Sequence, residues 1–192
     1  MDKRIENIIA KWKNNNISGI YCKDKTEVVA TILKMIPPGA SIGFSGSVTL
    51  DQLSVIKSLE DRGNKVFNPY KSGITREESL GVRRQAAQAD YYLASANAIS
   101  ESSELVFLSA MGNRTSGISY AKNVIIVSGV NKITPDLTAA IQRAREYATP
   151  LNIKRLNWDI KSKPMFCQTL IIEAEVELGR LSVILVDENL GF

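Results

Sequence analysis

A stretch rich in glycine and hydroxyl groups, Gly43-Phe44-Ser45-Gly46-Ser47-Val48-Thr49, is the part of the chain best suited to hold an anion. Glycines let backbone N–H groups approach a ligand closely, and hydroxyls add further donors. A helix that begins within this stretch would add the positive end of its dipole. The stretch matches neither the P-loop pattern nor the G-x-G-x-x-G pattern. It is a candidate phosphate- or carboxylate-binding loop, and the alternative is a tight strand-to-helix turn with Ser or Thr as the cap.

A second polar segment, Ser95-Ala96-Asn97-Ala98-Ile99-Ser100-Glu101, follows a predicted strand. The side chain of Asn97 can both donate and accept hydrogen bonds, and Glu101 is the candidate catalytic base. Asn and Ser are also common in turns, so these residue types by themselves favour a structural turn.

Two further segments carry cations after predicted strands, Gly112-Asn113-Arg114 and Gly129-Val130-Asn131-Lys132. The planar guanidinium of Arg114 could hold a carboxylate or a phosphate. Lys132 lies just beyond the most convincing strand pattern, on the side where parallel sheets bind ligands. The alternative for each cation is a solvated surface position. The predicted ligand-binding residues are Gly43, Ser45, Gly46, Ser47, Thr49, Asn97, Asn113, Arg114, Asn131 and Lys132.

The chain contains no histidine, which narrows the chemistry that it can perform. A Ser-His-Asp triad, a Cys-His pair and histidine ligands to a metal are all excluded. Acid–base chemistry would have to use Asp, Glu, Lys, Tyr or Cys. Cys22 and Cys167 are too few for a disulfide framework or a four-cysteine zinc site, and they suit a reducing, cytoplasmic location. Cys167 is predicted to be structural, and neither a metal nor a cofactor is predicted.

Length, charge and hydropathy limit the classes of partner. A chain of 192 residues fits one large domain or two very small ones, and a single domain of this size would bury roughly 70% of its unfolded surface. The formal net charge is +4, but the basic residues are scattered, which argues against a nucleic-acid partner. No segment approaches the roughly 18 apolar residues of a membrane helix. The mild positive excess could favour an anionic ligand or could be neutral variation.

Short apolar runs alternate with helical patterns, which predicts an α/β fold with a Rossmann-like, mainly parallel sheet and helices on both faces. Residues 1–16 have the apolar spacing of an amphipathic surface helix. Residues 165–192 contain two runs rich in β-branched residues around Leu178-Gly179, which predicts a closing β-hairpin. The whole chain, 1–192, is predicted to be a single domain, with strands at 41–44, 66–68, 91–95, 105–108, 124–128, 169–176 and 181–186 and helices at 28–36, 49–62, 77–88 and 135–149.

The candidate segments all follow predicted strands. Because parallel strands present their carboxyl ends at one edge of a sheet, we expect the loops at 43–49, 95–101, 112–114 and 129–132 to converge there.

Several stretches together resemble the lactate-utilisation (LUD) domain family. They are GFSGSVTL at 43–50, ADYYLASANAISESSELV at 89–106, GNR at 112–114, NVIIVSGVNKI at 123–133 and VILVDENLGF at 183–192. The resemblance runs from about residue 4 to the end, in the order typical of the family. It implies the fold of the NagB/RpiA/CoA-transferase-like superfamily, in agreement with the periodicity.

The resemblance also implies roles for two of the loops. Isomerases of that superfamily place a glycine and hydroxyl loop around a substrate phosphate, and an acidic residue in the loop that corresponds to SANAIS. Here Asn97 stands at the acidic position, and an amide cannot exchange a proton as a carboxylate does. Ser102-Ser103 and Ser109-Ala110 replace Asp-Gly pairs that are usual in the family, and the cysteines common before its last strands are reduced to Cys167.

Three functions remain open. The first is a protein that binds an anionic small molecule, or a subunit without a cluster that serves lactate or organic-acid metabolism; the family implies iron–sulfur oxidoreductase subunits as its partners. The second is an enzyme, an isomerase or transferase that acts on a sugar phosphate or an acyl-CoA with Glu101 as its base. The third is a structural partner whose pocket is vestigial, and a homo-oligomer is compatible with all three. A position of Glu101 beside the glycine loop would favour the enzyme.

Overall fold

The computed structural model of the protein describes residues 2–159 and 168–192. Cys167, predicted to be structural, and the start of the predicted C-terminal hairpin lie outside the described residues. The strands within those ranges are β1 (Ser18–Cys22), β2 (Ser41–Phe44), β3 (Lys65–Phe67), β4 (Tyr91–Ala94), β5 (Ala98–Ser100), β6 (Leu105–Ser109), β7 (Asn123–Gly129), β8 (Ile133–Thr134), β9 (Gln168–Ile172) and β10 (Leu181–Val186).

Helices connect most of these strands. They are α1 (Lys3–Asn14), α2 (Lys25–Met35), α3 (Val48–Leu53), α4 (Val55–Asp61), α5 (Arg76–Ala86), α6 (Asn113–Tyr120), α7 (Leu137–Gln142) and α8 (Thr149–Arg155). A 3-10 turn at Val130–Lys132 follows β7, and a π-helical segment at Arg143–Ala148 joins α7 to α8. No helix in the described part of the chain is both long enough and apolar enough to cross a bilayer.

The main sheet has six strands in the order β1-β10-β7-β4-β2-β3, and every pairing in it is parallel. Two adjacent interior strands, β10 and β7, are buried on both faces, which explains their continuous apolar sequences. Along β7, Val124 and Ile126 pack into a core with α1, α5 and α6. Ile125 and Val127 pack into a second core with α2, α3 and α4. The predicted α/β fold, a mainly parallel sheet covered by helices on both faces, is confirmed.

A smaller mixed sheet extends the domain beyond the carboxyl edge of β4. Its order is β8-β5-β6-β9, with β6 antiparallel to both β5 and β9. The two C-terminal strands are present, but the predicted β-hairpin between them is wrong. β9 joins the small sheet beside β6, whereas β10 enters the main sheet between β1 and β7. The apolar run of β10 is suited to the centre of a parallel sheet, where it buries more surface than a terminal hairpin would.

Two predicted helices also differ from the structure. The helix predicted at 49–62 is divided at Ser54, whose φ of 51° is left-handed, so α3 has only six residues. The helix predicted at 135–149 begins after Asp136, whose side chain caps it by accepting from the Ala139 N–H. It continues through the π-helical segment to Arg155. This extension matters for function because α8 covers the edge of the main sheet that carries the candidate site.

Candidate functional site

A cleft opens at the carboxyl edge of the main sheet, where the loops after β2, β4 and β7 meet. Direct hydrogen bonds between these loops, described below, bring together the four segments that were expected to converge. The cavity inside the cleft has a volume of about 80 Å³. Its lining residues are Gly46, Ser47, Val48, Thr49, Ser95, Ala96, Asn97, Leu108, Ser109, Ala110, Arg114, Lys132, Thr149, Asn152, Ile153, Trp158, Gly191 and Phe192.

Lys132 lies at the floor of the cleft with only 3% of its surface exposed. It ends the 3-10 turn after β7, and this turn directs its side chain back beneath the loops that follow β2 and β4. Its Nζ donates to Thr49 Oγ1 at 3.0 Å, Ser95 Oγ at 2.8 Å and the Ala96 carbonyl at 3.1 Å. All three acceptors are neutral, so none of them compensates the charge of the ammonium.

The pKa of Lys132 is lowered to about 7. Burial is the main cause, because desolvation penalises the charged form, and the nearby cations Arg143 and Arg114 lower the pKa further. Near neutral pH, Lys132 is therefore present both as an ammonium and as a free amine. A titratable group with a strongly shifted pKa inside a cleft is a recognised sign of a functional site.

Arg114, in the first turn of α6, is the second cation of the cleft. Its guanidinium donates to Ser45 Oγ at 3.3 Å, Asn97 Oδ1 at 3.1 Å, the Leu108 carbonyl at 3.0 Å and the Gly46 carbonyl at 2.9 Å. Burial lowers its pKa from the usual value, although an arginine stays protonated. These acceptors are neutral as well, so Arg114 links three loops without losing its net charge.

The hydrogen bonds of Arg114 leave it less able to hold a carboxylate or a phosphate than its sequence position suggested. A guanidinium has five N–H groups, and four of them already point at protein acceptors. One N–H of Nη2 remains for a ligand, so a paired grip on a carboxylate would require some of these bonds to break. Arg114 acts mainly as a charged clamp that fixes the shape of the cleft.

Asn97 lines the cleft, and it follows Ala96, whose carbonyl accepts from Lys132. Its Oδ1 accepts hydrogen bonds from the Leu108 N–H at 2.9 Å and from Arg114, which fixes the orientation of the amide. The Nδ2 group makes no hydrogen bond to the described residues, so it is available as a donor. The position at which the resemblance implies an acid therefore carries a neutral group that supports Arg114.

The glycine and hydroxyl loop serves packing as much as binding. A side chain at Gly43 would collide with the Ala86 carbonyl at 1.9 Å, so this glycine allows α5 to approach β2. The Gly46 N–H donates to Tyr70 Oη at 2.6 Å and is not free for an anion. Ser47 lines the cleft and caps α3 by accepting from the Leu50 N–H. Because α3 is so short, the positive character of the cleft comes from Lys132 and Arg114 rather than from a helix dipole.

Five of the predicted site residues do not line the cleft. Ser45 lies behind the lining, where it accepts a hydrogen bond from Arg114. Gly43 packs beneath α5, and Asn113 lines a separate groove beside α5. Asn131 accepts from the Leu190 N–H and donates to the Gly191 carbonyl, so it holds the C-terminal segment in place. Glu101, the candidate base, lies beyond β5 next to α1, where it faces Arg4 at 3.8 Å. This distant position disfavours Glu101 as a catalytic base.

Three important residues were missed at the level of sequence. Ser95 was seen only as part of a turn, yet its hydroxyl contacts both Lys132 and Thr49. Arg143 donates to the carbonyls of Asn97 and Asn131 and ties the π-helical segment to the cleft. Gly191 has a φ of 62°, and a side chain there would lie 2.5 Å from Thr49 Oγ1. The helical spacing of Arg143 gave no sign of its contacts, but a glycine soon after a buried strand was a usable signal for Gly191.

The fold places the chain in the broad class of α/β proteins with a parallel sheet covered by helices, and its family can be assigned within that class. The chain matches the LUD domain family over residues 5–186 and belongs to that family. The resemblance drawn from its motifs is thereby confirmed. Among curated proteins, none matches the chain.

Solved structures with a similar fold include a DUF162 family protein from Deinococcus radiodurans. The TM-score is 0.53 at 11% identity, covering 95% of this chain and 94% of that one. The chain is also similar to ribose 5-phosphate isomerase A from Methanocaldococcus jannaschii, with a TM-score of 0.43 and 12% identity over 85% of this chain and 94% of that one. For the same enzyme from Neisseria gonorrhoeae the TM-score is 0.38, at 15% identity over 59% and 54%. The first of these similarities shows a shared fold.

Proposed function

We propose that the chain binds a small carboxylate- or phosphate-bearing molecule in the cleft, as a binding protein or a subunit that serves organic-acid metabolism. The observation that carries this proposal is the pair of cations, Lys132 and Arg114, in a cleft whose described lining contains no acidic side chain. Neither cation forms an ion pair within the described part of the chain.

An anion would relieve the electrostatic cost of this arrangement. A buried charge without a counter-charge is destabilising, and proteins normally neutralise it with a partner. A bound carboxylate or phosphate would supply that partner for both cations at once. The free Nη2 proton of Arg114 and the Nδ2 amide of Asn97 are available to donate to it, and the attraction is strong because the floor of the cleft excludes water.

The size of the cavity favours a small ligand or the charged end of a larger one. By the measure in which roughly 10–15 Å³ holds one water molecule, the cavity has about 80 Å³. We expect lactate and related two- to four-carbon acids, or a phosphate group, to fit this space. The link that the resemblance draws with lactate oxidation places these acids first among the ligands to be tested.

A vestigial pocket explains the site less well. The charge on Lys132 costs folding free energy, and a methionine in its place would avoid that cost. An isomerase with Glu101 as its base is also less favoured, because Glu101 does not line the cleft. One observation does favour chemistry of another kind, namely the close contact between Lys132 and Ser95 described below.

A thermal-shift screen tests the binding function. The panel contains lactate, pyruvate, inorganic phosphate, ribose 5-phosphate, acetyl-CoA and AMP, each at matched ionic strength. A ligand that binds only the native state raises the apparent melting temperature by mass action, and about 100-fold excess over Kd contributes roughly 2.7 kcal/mol. We expect at least one small acid or phosphate to stabilise the protein.

A pair of variants then assigns the effect to the cleft. Lys132→Met removes the buried cation, whereas Lys34→Met removes an exposed one on α2. Calorimetry with the best ligand should show at least a tenfold loss of affinity in Lys132→Met and no change in Lys34→Met. Equal loss in both variants would show a general charge effect, and no stabilisation by any anion would reject the function.

A further inference from the structure

Ser95 and Lys132 meet inside the cleft in the arrangement of an activated nucleophile. We propose that they form a catalytic dyad for acyl transfer, with Ser95 as nucleophile and Lys132 as general base, acting on a small acyl ester or thioester. The inference goes beyond the proposed binding function and rests on it only for the preference for an anionic substrate.

The geometry of the pair carries the proposal. Ser95 Oγ lies 2.8 Å from Lys132 Nζ, within the range expected for a nucleophile and its base. The base is held in turn by Thr49 Oγ1 at 3.0 Å and the Ala96 carbonyl at 3.1 Å. Ser95 is the first residue after β4, and Lys132 ends the 3-10 turn after the adjacent strand β7, so the rigid main sheet fixes their separation. Both residues line the cavity, where a substrate can reach them.

The surrounding hydrogen bonds suit a lysine that gains and loses a proton. A neutral amine has two N–H groups and one lone pair. Thr49 Oγ1 and the Ala96 carbonyl can accept the two N–H groups, which leaves the lone pair for the hydroxyl proton of Ser95. In the protonated form, Nζ donates to all three groups and Ser95 donates to Thr49 at 3.1 Å. Thr49 donates to the Leu190 carbonyl in both forms, so neither form leaves a buried polar group unsatisfied.

The electrostatics of the cleft support the same assignment. With a pKa of about 7, Lys132 is substantially neutral at physiological pH, as a general base must be. The described lining offers no histidine, carboxylate side chain, thiol or phenol that could take the role instead. Arg114 lines the same cavity, and its charge would stabilise the oxyanion that forms when a carbonyl is attacked.

The dyad would act in two steps, acylation of Ser95 and hydrolysis of the acyl-Ser95 ester. Ser95 Oγ attacks the acyl carbon while its proton passes to the Lys132 amine, and a tetrahedral oxyanion forms. The oxyanion collapses, the bond to the alcohol or thiol breaks, and the Lys132 ammonium returns the proton to that leaving group. Water then attacks the acyl-Ser95 ester while Lys132 takes its proton. The bond between the acyl carbon and Ser95 Oγ breaks, the Lys132 ammonium returns the proton to Ser95 Oγ, and the acid is released. The net reaction converts an ester and water into an acid and an alcohol, or a thioester and water into an acid and a thiol.

Covalent labelling tests the dyad without relying on recognition of an anion. The full chain is incubated with an uncharged alkyl fluorophosphonate, which phosphonylates activated serines, and is followed by intact mass and peptide mapping. We expect one adduct, on Ser95, at a rate that rises with pH through about 7 as Lys132 loses its proton. Ser95→Ala should abolish the adduct, and Ser119→Ala, a change at an exposed serine of α6, should leave it unchanged.

The lysine variant distinguishes a dyad from a merely buried serine. Removal of a general base typically lowers a rate by about 10²–10⁴-fold, so Lys132→Met should label at least 100-fold more slowly while its near-UV circular dichroism stays native. Absence of a Ser95 adduct in the wild-type protein would overturn the dyad, and so would a labelling rate that does not depend on pH between 6 and 9. Either result could occur while small anions still bind, so the dyad can fail separately from the binding function.

Discussion

Two cations of this protein, Arg180 and Lys132, lie at opposite ends of two adjacent parallel strands and differ in what neutralises them. Arg180 precedes β10 and pairs with Glu175, with both side chains at most 15% exposed. It also donates to the carbonyls of Ile118 and Ala121. Lys132 follows β7 and contacts only neutral acceptors.

The difference separates a structural cation from one that we propose to be functional. Burial has the largest single effect on Glu175 and would raise its pKa. The hydrogen bond and charge of Arg180, together with backbone hydrogen bonds from Val176 and Glu177, outweigh burial and leave this pKa lowered, which is typical of a stabilising pair. At Lys132 the balance is reversed, since burial and two neighbouring cations lower the pKa. Arg180, which helps to hold the fold together, is paired with an acid. Lys132, in the open cleft, has no acidic side chain beside it in the described lining.

The largest expected difference between the two regions is the pH dependence of stability in Lys132→Met. The pKa of Lys132 is about 7 in the folded protein and about 10.4 in an unfolded chain. Between these values the unfolded state binds more protons, so this group makes the wild type more stable as the pH rises. From pH 6 to pH 9 the free energy of unfolding of the wild type should therefore rise by roughly 2–3 kcal/mol more than that of Lys132→Met. Urea denaturation of both proteins measures this, and parallel pH profiles would show that Lys132 is not desolvated.

At the Arg180–Glu175 pair, by contrast, we expect a substitution to lower stability and to leave anion binding unchanged. Glu175→Gln leaves Arg180 without a counter-charge in a largely buried position, and we expect a loss of about 2 kcal/mol in the free energy of unfolding. Affinity for the anion should not change, because the pair does not line the cleft. Glu173→Gln, at an exposed neighbouring glutamate, is the control and should have little effect. A loss of anion binding in Glu175→Gln would mean that the two regions are coupled.

A carboxylate placed inside the cleft should act as a counter-charge for its cations, as Glu175 does for Arg180. Asn97→Asp keeps the acceptor that Arg114 and the Leu108 N–H use, and it adds a negative charge at almost unchanged size. We expect anion affinity to fall about tenfold, which corresponds to roughly 1.4 kcal/mol. Calorimetry on Asn113→Asp, a matched change in the separate groove, provides the control.

Ribose 5-phosphate isomerase activity should be absent from both the wild type and Asn97→Asp, because a carboxylate without correct positioning is not a catalyst. Turnover by either protein would contradict this.

The smallest effect is expected at Glu101. Its contact with Arg4 is long, at 3.8 Å, and both side chains are well exposed, so the pair should contribute little. Glu101→Gln should change the free energy of unfolding by less than about 0.5 kcal/mol and should leave anion binding unaltered. A large loss of any activity of the protein in this variant would restore Glu101 as a candidate base.

The sequence predicted the central sheet well because its signal is local. The run Val124–Val127 is apolar on both faces, which is typical of a buried parallel strand, and the structure places it at the centre of the main sheet. The candidate loops could be located for the same reason, since each follows a predicted strand. Strand partners are not a local property, however. The apolar patterns of β9 and β10 did not reveal that the two strands would join different sheets.

The sequence by itself determined the α/β class, the family and the edge of the sheet at which the candidate loops meet, because each depends on residue order and periodicity. Only the tertiary structure decided which side chains share the cleft. It placed Ser95 against Lys132, turned Arg114 into a clamp and moved Glu101 to the opposite side of β5 beside α1. The physical reason is that burial, desolvation and the absence of a counter-charge arise from neighbours distant in sequence, and these factors make a scattered lysine or serine reactive.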